Sequence, residues 1–219
     1  MNLLPILVIL GLVGIGIYAW VSQAPKIDAR TLVDVPQSGM VKTSVNYDLP
    51  TSFNEPEGLT YSYSMWLLVK DFTTGFGTRR PILVKGDSPG VYLDSTSNSL
   101  VIAVKTYGTV ETVLIPNIPA MKWIHLAIVV NQYAVDVYIN GTLRQHHTLS
   151  QLPDLTNDPV VLGPGWNGLI GRALYFPRSL SYSEINTMSA AEPPPYNETV
   201  IGKNNYFDLT WYTGRLNSS

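Results

Sequence analysis

Glu55 and Glu57 stand two apart in the stretch FNEPEG, a spacing that on a strand would put two carboxylates on one face for acid–base hydrolysis of a glycoside. Pro56 between them makes the stretch a loop, and a solvated turn is expected there. Asp136 has no acidic neighbour on its strand. The three histidines are His125, His146 and His147. Neighbours on a strand point to opposite faces, so His146 and His147 cannot both face one metal ion. His125 lies inside an apolar strand and reads as a hydrogen-bonded core histidine. No Gly-x-Ser-x-Gly elbow accompanies the serines, so nucleophilic catalysis has no support and no enzyme is expected. Trp166 beside Asn167, at a glycine-rich turn, offers a stacking surface with an amide donor for a carbohydrate; the competing role is a core tryptophan. Asn140, Asn197 and Asn217 each begin an Asn-x-Ser/Thr sequence and would be glycan acceptors in a lumenal domain.

The elements that must position these residues are strands. From Thr51 to Ala190 apolar residues recur with period two, as in strands half buried in a sandwich. In Tyr61 to Lys70, Tyr61, Tyr63, Met65, Leu67 and Val69 take one face while Ser62, Ser64 and Lys70 take the other. Further strands are expected at 81–85, 91–94, 100–107, 111–115, 122–130, 133–140, 142–149, 160–162 and 169–176. Asn140-Gly141 predicts a two-residue hairpin turn with positive φ at both positions. Ser181 and Glu184 ahead of Ile185 form a capping-box pattern, so a short helix is expected over 182–190. The triple proline 193–195 ends it. Beyond lies a tail, 191–219, whose Tyr206, Phe207, Trp211 and Tyr212 alternate as candidates for binding a partner.

Residues 3–21, LLPILVILGLVGIGIYAWV, are apolar and uncharged. A bilayer core of about 30 Å takes roughly 20 helical residues, so residues 1–22 are expected to be a retained transmembrane helix. A cleavable signal fits less well, because no Lys or Arg precedes the run and the one suitable cut, after Ala24, is followed by Pro25. Lys26 and Arg30 follow the span and place the rest of this single-pass chain on the cytosolic side by the positive-inside rule. Residues 23–50 read as a stalk with one lead-in strand at 41–47, reaching many tens of ångströms if extended. Only 14% of the 219 residues are charged, against about 25% on average, which suggests a surface partly covered by partners. A net charge of −2 without a basic cluster argues against nucleic acid. With no cysteine, disulfides and thiolate metal sites are excluded.

Three stretches in order, YSYSMWLLV with PILVKGD, KWIHLAIVV running into YAVDVYINGTL, and LGPGWNGLIGRALYFPRSLSYSEI, resemble the laminin-G-like branch of the concanavalin A-like lectin and glucanase fold. The resemblance covers about residues 55–190 and implies an all-β, two-sheet antiparallel jelly-roll sandwich, with the transmembrane helix before it and the short helix after. Where many relatives carry an acidic residue, this chain has Gly171. Calcium is the one cofactor the resemblance suggests, with Asp87, Asp94 and Asp136 as candidates, although their spacing matches no loop motif. The layout of anchor, sandwich and aromatic tail resembles membrane-anchored minor capsid proteins of large DNA viruses. That implies a structural protein joining an inner membrane to a protein shell. The alternative is a membrane-anchored carbohydrate-binding receptor or adhesin.

Overall fold

The computed structural model describes residues 29–45, 49–50 and 59–195. The expected span at 3–21, Glu55, Glu57, Asn197, Asn217 and the aromatics Tyr206, Phe207, Trp211 and Tyr212 lie outside the described residues. Among those described, no helix is long and apolar enough to cross a membrane.

Thirteen strands and one helix follow in order among the described residues: β1 Arg30–Val33, β2 Gln37–Ser38, β3 Thr43–Val45, β4 Thr60–Val69, β5 Arg80–Val84, β6 Gly90–Leu93, β7 Leu100–Lys105, β8 Val110–Ile115, β9 Trp123–Asn131, β10 Ala134–Ile139, β11 Thr142–Thr148, β12 Val160–Leu162, β13 Gly168–Phe176 and α1 Tyr182–Ala190. They build two antiparallel sheets. One runs β1-β13-β4-β9-β10-β11, with β2 also on β13; the other runs β3-β12-β5-β6-β7-β8. The inward residues of the two sheets, among them Tyr63, Met65, Leu67, Ile82, Leu93, Ile102, Leu126 and Val137, form one core. The chain is thus an all-β two-sheet sandwich with one short helix. The Asn140-Gly141 turn joins β10 to β11 with φ of 51° and 77°, the positive pair that the dipeptide was expected to supply.

Two expectations are corrected. Within the segment read as a stalk, β1 and β2 belong to the sandwich, since both pair with β13; β3, paired with β12, lies within the lead-in strand expected at 41–47. β1 and β2 are too short for period two to reveal them; their partner β13 holds them. The polar face of β4 was expected to meet solvent, yet all ten of its residues are buried. Ser62 Oγ donates to Arg178 O (2.8 Å) and accepts from Leu180 N (3.1 Å), while Leu180 and Ile185 pack with Ala127, Val129 and Phe176 over the same sheet. Past α1, Pro194 comes down on Gly171 beside Pro36. A Cβ at Gly171 would lie 2.9 Å from Pro194 Cγ, so the glycine found in place of an acidic residue admits this strap.

The capping box forms. Glu184 N donates to Ser181 Oγ (3.3 Å) and Ser181 N donates to Glu184 Oε2 (2.8 Å), with Arg178 Nη2 at 2.6 Å from Glu184 Oε1. The Arg178 bond, with those of Ser181, brings the Glu184 carboxyl down to about 2. Replacing Ser181 by Ala is expected to cost about 1 kcal/mol, seen as a lower denaturant midpoint at unchanged slope.

Candidate functional site

Chain reversals gather at two ends of the sandwich, and its sheets differ in what they show to solvent. The outer face of the β1-side sheet is covered by α1 and the 192–194 strap. On the outer face of the six-stranded sheet Gly90, Val101 and Ala103 are buried, Tyr92 is half-buried, and Thr112 and Leu114 are exposed. Across it, Pro81, Tyr92, Val101 and Leu114 stand in one row of register, and Val84, Gly90, Ala103 and Thr112 in the next. Gly90 and Ala103 make the second row shallow. Tyr92 leans over Gly90, where an added Cβ would sit 2.6 Å from Tyr92 Cε2 and 2.5 Å from Asp87 Oδ1. The Tyr92 hydroxyl donates to Asp87 Oδ1, and the Arg79 guanidinium carbon lies 5.1 Å from the ring centroid. Burial, then the hydrogen bond to Asp87 and its charge, push the Tyr92 phenol above its usual range. The turn that carries Asp87 is pinned by Ser88 N to Lys85 O (2.9 Å) and Lys85 N to Pro89 O (3.0 Å). A carboxylate, a guanidinium and a phenol edge therefore meet over Gly90; Gly90, Ala103 and Val101 are buried beneath the outer side chains, and Thr112 and Leu114 are the exposed residues of the two rows. Arg79, Asp87 and Tyr92 can exchange hydrogen bonds with hydroxyls there, and exposed Leu114 offers an apolar contact to C–H groups.

A second recess lies at one end, lined by Tyr61, Tyr63, Tyr175, Lys85, Ser88 and Thr156. Its free volume of about 40 Å³ holds a few water molecules, not a sugar ring. Lys85 Nζ donates to Thr156 O there, and burial lowers the lysine's pKa.

The residues singled out from the sequence are dispersed. Trp166 is fully buried, so it shows no face to a ligand; of its two roles, the structure gives the core tryptophan. Asn167 Nδ2 donates to Asp71 Oδ2, closing one loop on another. Asp94 caps its own turn, accepting from Ser97 Oγ (2.8 Å), Ser97 N (3.0 Å) and Thr96 N (3.2 Å). Asp136 pairs with His146 Nδ1 at 2.6 Å, and Asp87 holds Tyr92. The three calcium candidates thus serve three separate places, and no group of three or more acidic or histidine side chains able to hold a metal occurs among the described residues. His147 Nε2 reaches Glu111 Oε2 (2.8 Å) rather than the partner of His146. Asn140 turns its Oδ1 back onto His125 N (2.8 Å). His125 is buried with Ser64 Oγ 2.9 Å from Nε2, a serine–histidine contact that solvent does not reach.

Arg79, Tyr92, Gly90 and Ala103 escaped the sequence reading. Alternation in GVYLD places Tyr92 outward, but which residues flank it depends on strand order across the sheet.

The fold defines a two-sheet jelly-roll sandwich. The chain belongs to the concanavalin A-like lectin/glucanases superfamily, whose laminin-G-type family model matches residues 42–186. Among solved structures, the receptor binding domain of botulinum neurotoxin mosaic serotype C/D is similar with a TM-score of 0.57 at 14% identity, over 75% of this chain and 45% of that one. The botulinum neurotoxin serotype D ligand binding domain in complex with N-acetylneuraminic acid gives 0.57 at 17%, over 74% and 45%. The binding domain of Paraclostridial Mosquitocidal Protein 1 gives 0.52 at 16%, over 71% and 47%. The chain spans less than half the length of each of these structures, and the likeness is one of fold. Comparison with curated proteins finds no match.

Proposed function

We propose that this chain is a non-enzymatic binding module, held at a bilayer by residues 3–21, that takes a glycan on the outer face of its six-stranded sheet. The observation that carries the reading is the Arg79–Tyr92–Asp87 group over Gly90, on the same outer sheet face as the exposed Leu114. The superfamily's lectin-like fold and the receptor-binding neighbours support it. The test is a glycan array probed with the full chain in lipid nanodiscs. Tyr92→Ala and Arg79→Ala are expected to weaken the selected glycan at least about tenfold, roughly 1.4 kcal/mol or more, with unchanged melting. Absence of any glycan signal from the unaltered chain would overturn it.

A second reading, the fastener between membrane and protein shell, draws on a different observation. Met40, Val41, Phe76 and Met121 are exposed on loops at one end of the sandwich, as a protein-docking end would present them. The lipid and shell partners themselves rest on the sequence layout. Removing residues 196–219, and not 191–219, tests it, since a cut at 191 would also take away Pro194, whose strap packs on Gly171. Loss of a co-purifying shell protein with glycan binding kept would favour the fastener.

A further inference from the structure

We propose that one end of the sandwich lies against the lipid headgroup layer, with Tyr107 and Tyr133 as its interfacial anchors. The inference rests on the reading of residues 3–21 as a retained span and adds to it an orientation.

Connectivity supplies the first argument. β1 begins at Arg30, paired with Tyr175 near the finish of β13. This near end also carries the 85–90 turn, the 106–109 turn, the 132–133 turn and the start of β4, as Gln132 N to Leu59 O, Leu149 N to Tyr133 O and Tyr107 N to Leu152 O show. Only residues 22–29 lie between the apolar run and β1. At about 3.3–3.6 Å per residue they reach less than about 30 Å. β4, ten residues long, by itself spans about 33 Å, and the far-end loops with Phe76 and Met121 lie beyond it. The near end meets the bilayer without effort; the far end would need the whole linker drawn back alongside the sandwich.

The second argument is what the near end shows. Tyr107 is 69% exposed and Tyr133 47% exposed, each at the tip of a turn whose backbone is hydrogen-bonded to the β11–β12 connection. A tyrosine has an apolar ring and a polar tip, and is enriched where lipid meets water. Lys105 pairs with Asp154 (2.7 Å) and Arg178 with Glu184 (2.6 Å), so these four charges bring no net charge to the headgroups. In this orientation the strands stand along the membrane normal and the outer face of the six-stranded sheet, with Arg79 and Tyr92, points sideways.

The chain has no cysteine, which allows single labels. Tyr107→Cys and Tyr133→Cys, with Phe76→Cys and Met121→Cys as far-end comparators, would each carry an environment-sensitive fluorophore on the full chain in phosphatidylcholine vesicles doped with a headgroup quencher. Quenching is expected to be several-fold stronger at 107 and 133. Equal or reversed quenching, with the chain still resistant to alkaline carbonate, would overturn the orientation and leave the anchor standing. Release by carbonate would overturn the anchor and the orientation together.

Discussion

Trp166→Ala is expected to lower stability by about 3–5 kcal/mol, a fall in melting temperature of roughly 10 °C or more for a domain of this size. The indole is fully buried and wedged where three connections meet. Gly165 N and Trp166 N both donate to Gly39 O (3.0 and 3.3 Å), and Gly39 N donates to Gly168 O (3.0 Å). The ring fills the space that side chains at Gly39 and Gly168 would take, for an added Cβ would sit 2.2 Å from Trp166 Cε2 at Gly39 and 2.3 Å from Cζ3 at Gly168. Truncation therefore leaves a void lined by backbone that cannot close on it. The same geometry gives a sharper test of the cause. Gly39→Ala should itself cost about 1–3 kcal/mol by overpacking, but much less in the Trp166→Ala background, where the ring is gone. A double-mutant cycle on denaturant midpoints reads that coupling. Strict additivity would show that Trp166 and Gly39 do not share this space.

Why Trp166 belongs to the core was not legible in GPGWNG, because the two glycines that receive the ring include Gly39, far away in sequence. The strands were legible for the opposite reason. Their inward residues face one continuous core, so the alternation survives in the chain itself, as in Val135, Val137 and Ile139 of β10. β4 marks the limit of that signal. Its serines look like solvent-facing residues, but Ser62 is satisfied by the 178–180 backbone and Ser64 by His125. Polar type reports the need for a partner, not the presence of water. The candidate site failed to show for a related reason. Asp87 reads by its type as a calcium candidate, whereas its observed partner is Tyr92 across a turn, and the Ala103 buried beside Gly90 comes from the neighbouring strand. Arg80 makes the point from the other side. Its adjacent Arg79 lies over Tyr92, while Arg80 is buried and donates through Nη1 to Phe72 O (2.8 Å) and Thr74 O (3.0 Å) and through Nη2 to Asp94 O. Two identical neighbours do different work because a strand sends them to opposite sides.

His125 should make the fold sensitive to mild acid. The imidazole is 1% exposed; Nε2 faces Ser64 Oγ, Nδ1 has no partner among the described residues, and the Trp66 ring stands edge-on at 5.3 Å. Burial brings its pKa down to about 4 from an ordinary 6.5. The unfolded chain therefore binds the proton more readily across that interval, and stability rises with pH there. The contribution is complete above about pH 6.5 and is lost progressively as pH falls toward 4, about 3 kcal/mol in all at 1.36 kcal/mol per unit. The carboxylates held low by their hydrogen bonds, Asp71, Asp94, Glu111 and Glu184, lose their contribution only at lower pH, below the unfolded carboxylate range. Between pH 7 and 5 the loss through His125 is thus expected to be about 2 kcal/mol. Chemical denaturation at the two pH values measures it. His125→Gln, which can still meet Ser64, should flatten the difference even if it lowers stability at pH 7. A variant with the same pH dependence as the unaltered chain would assign the acid sensitivity to other groups.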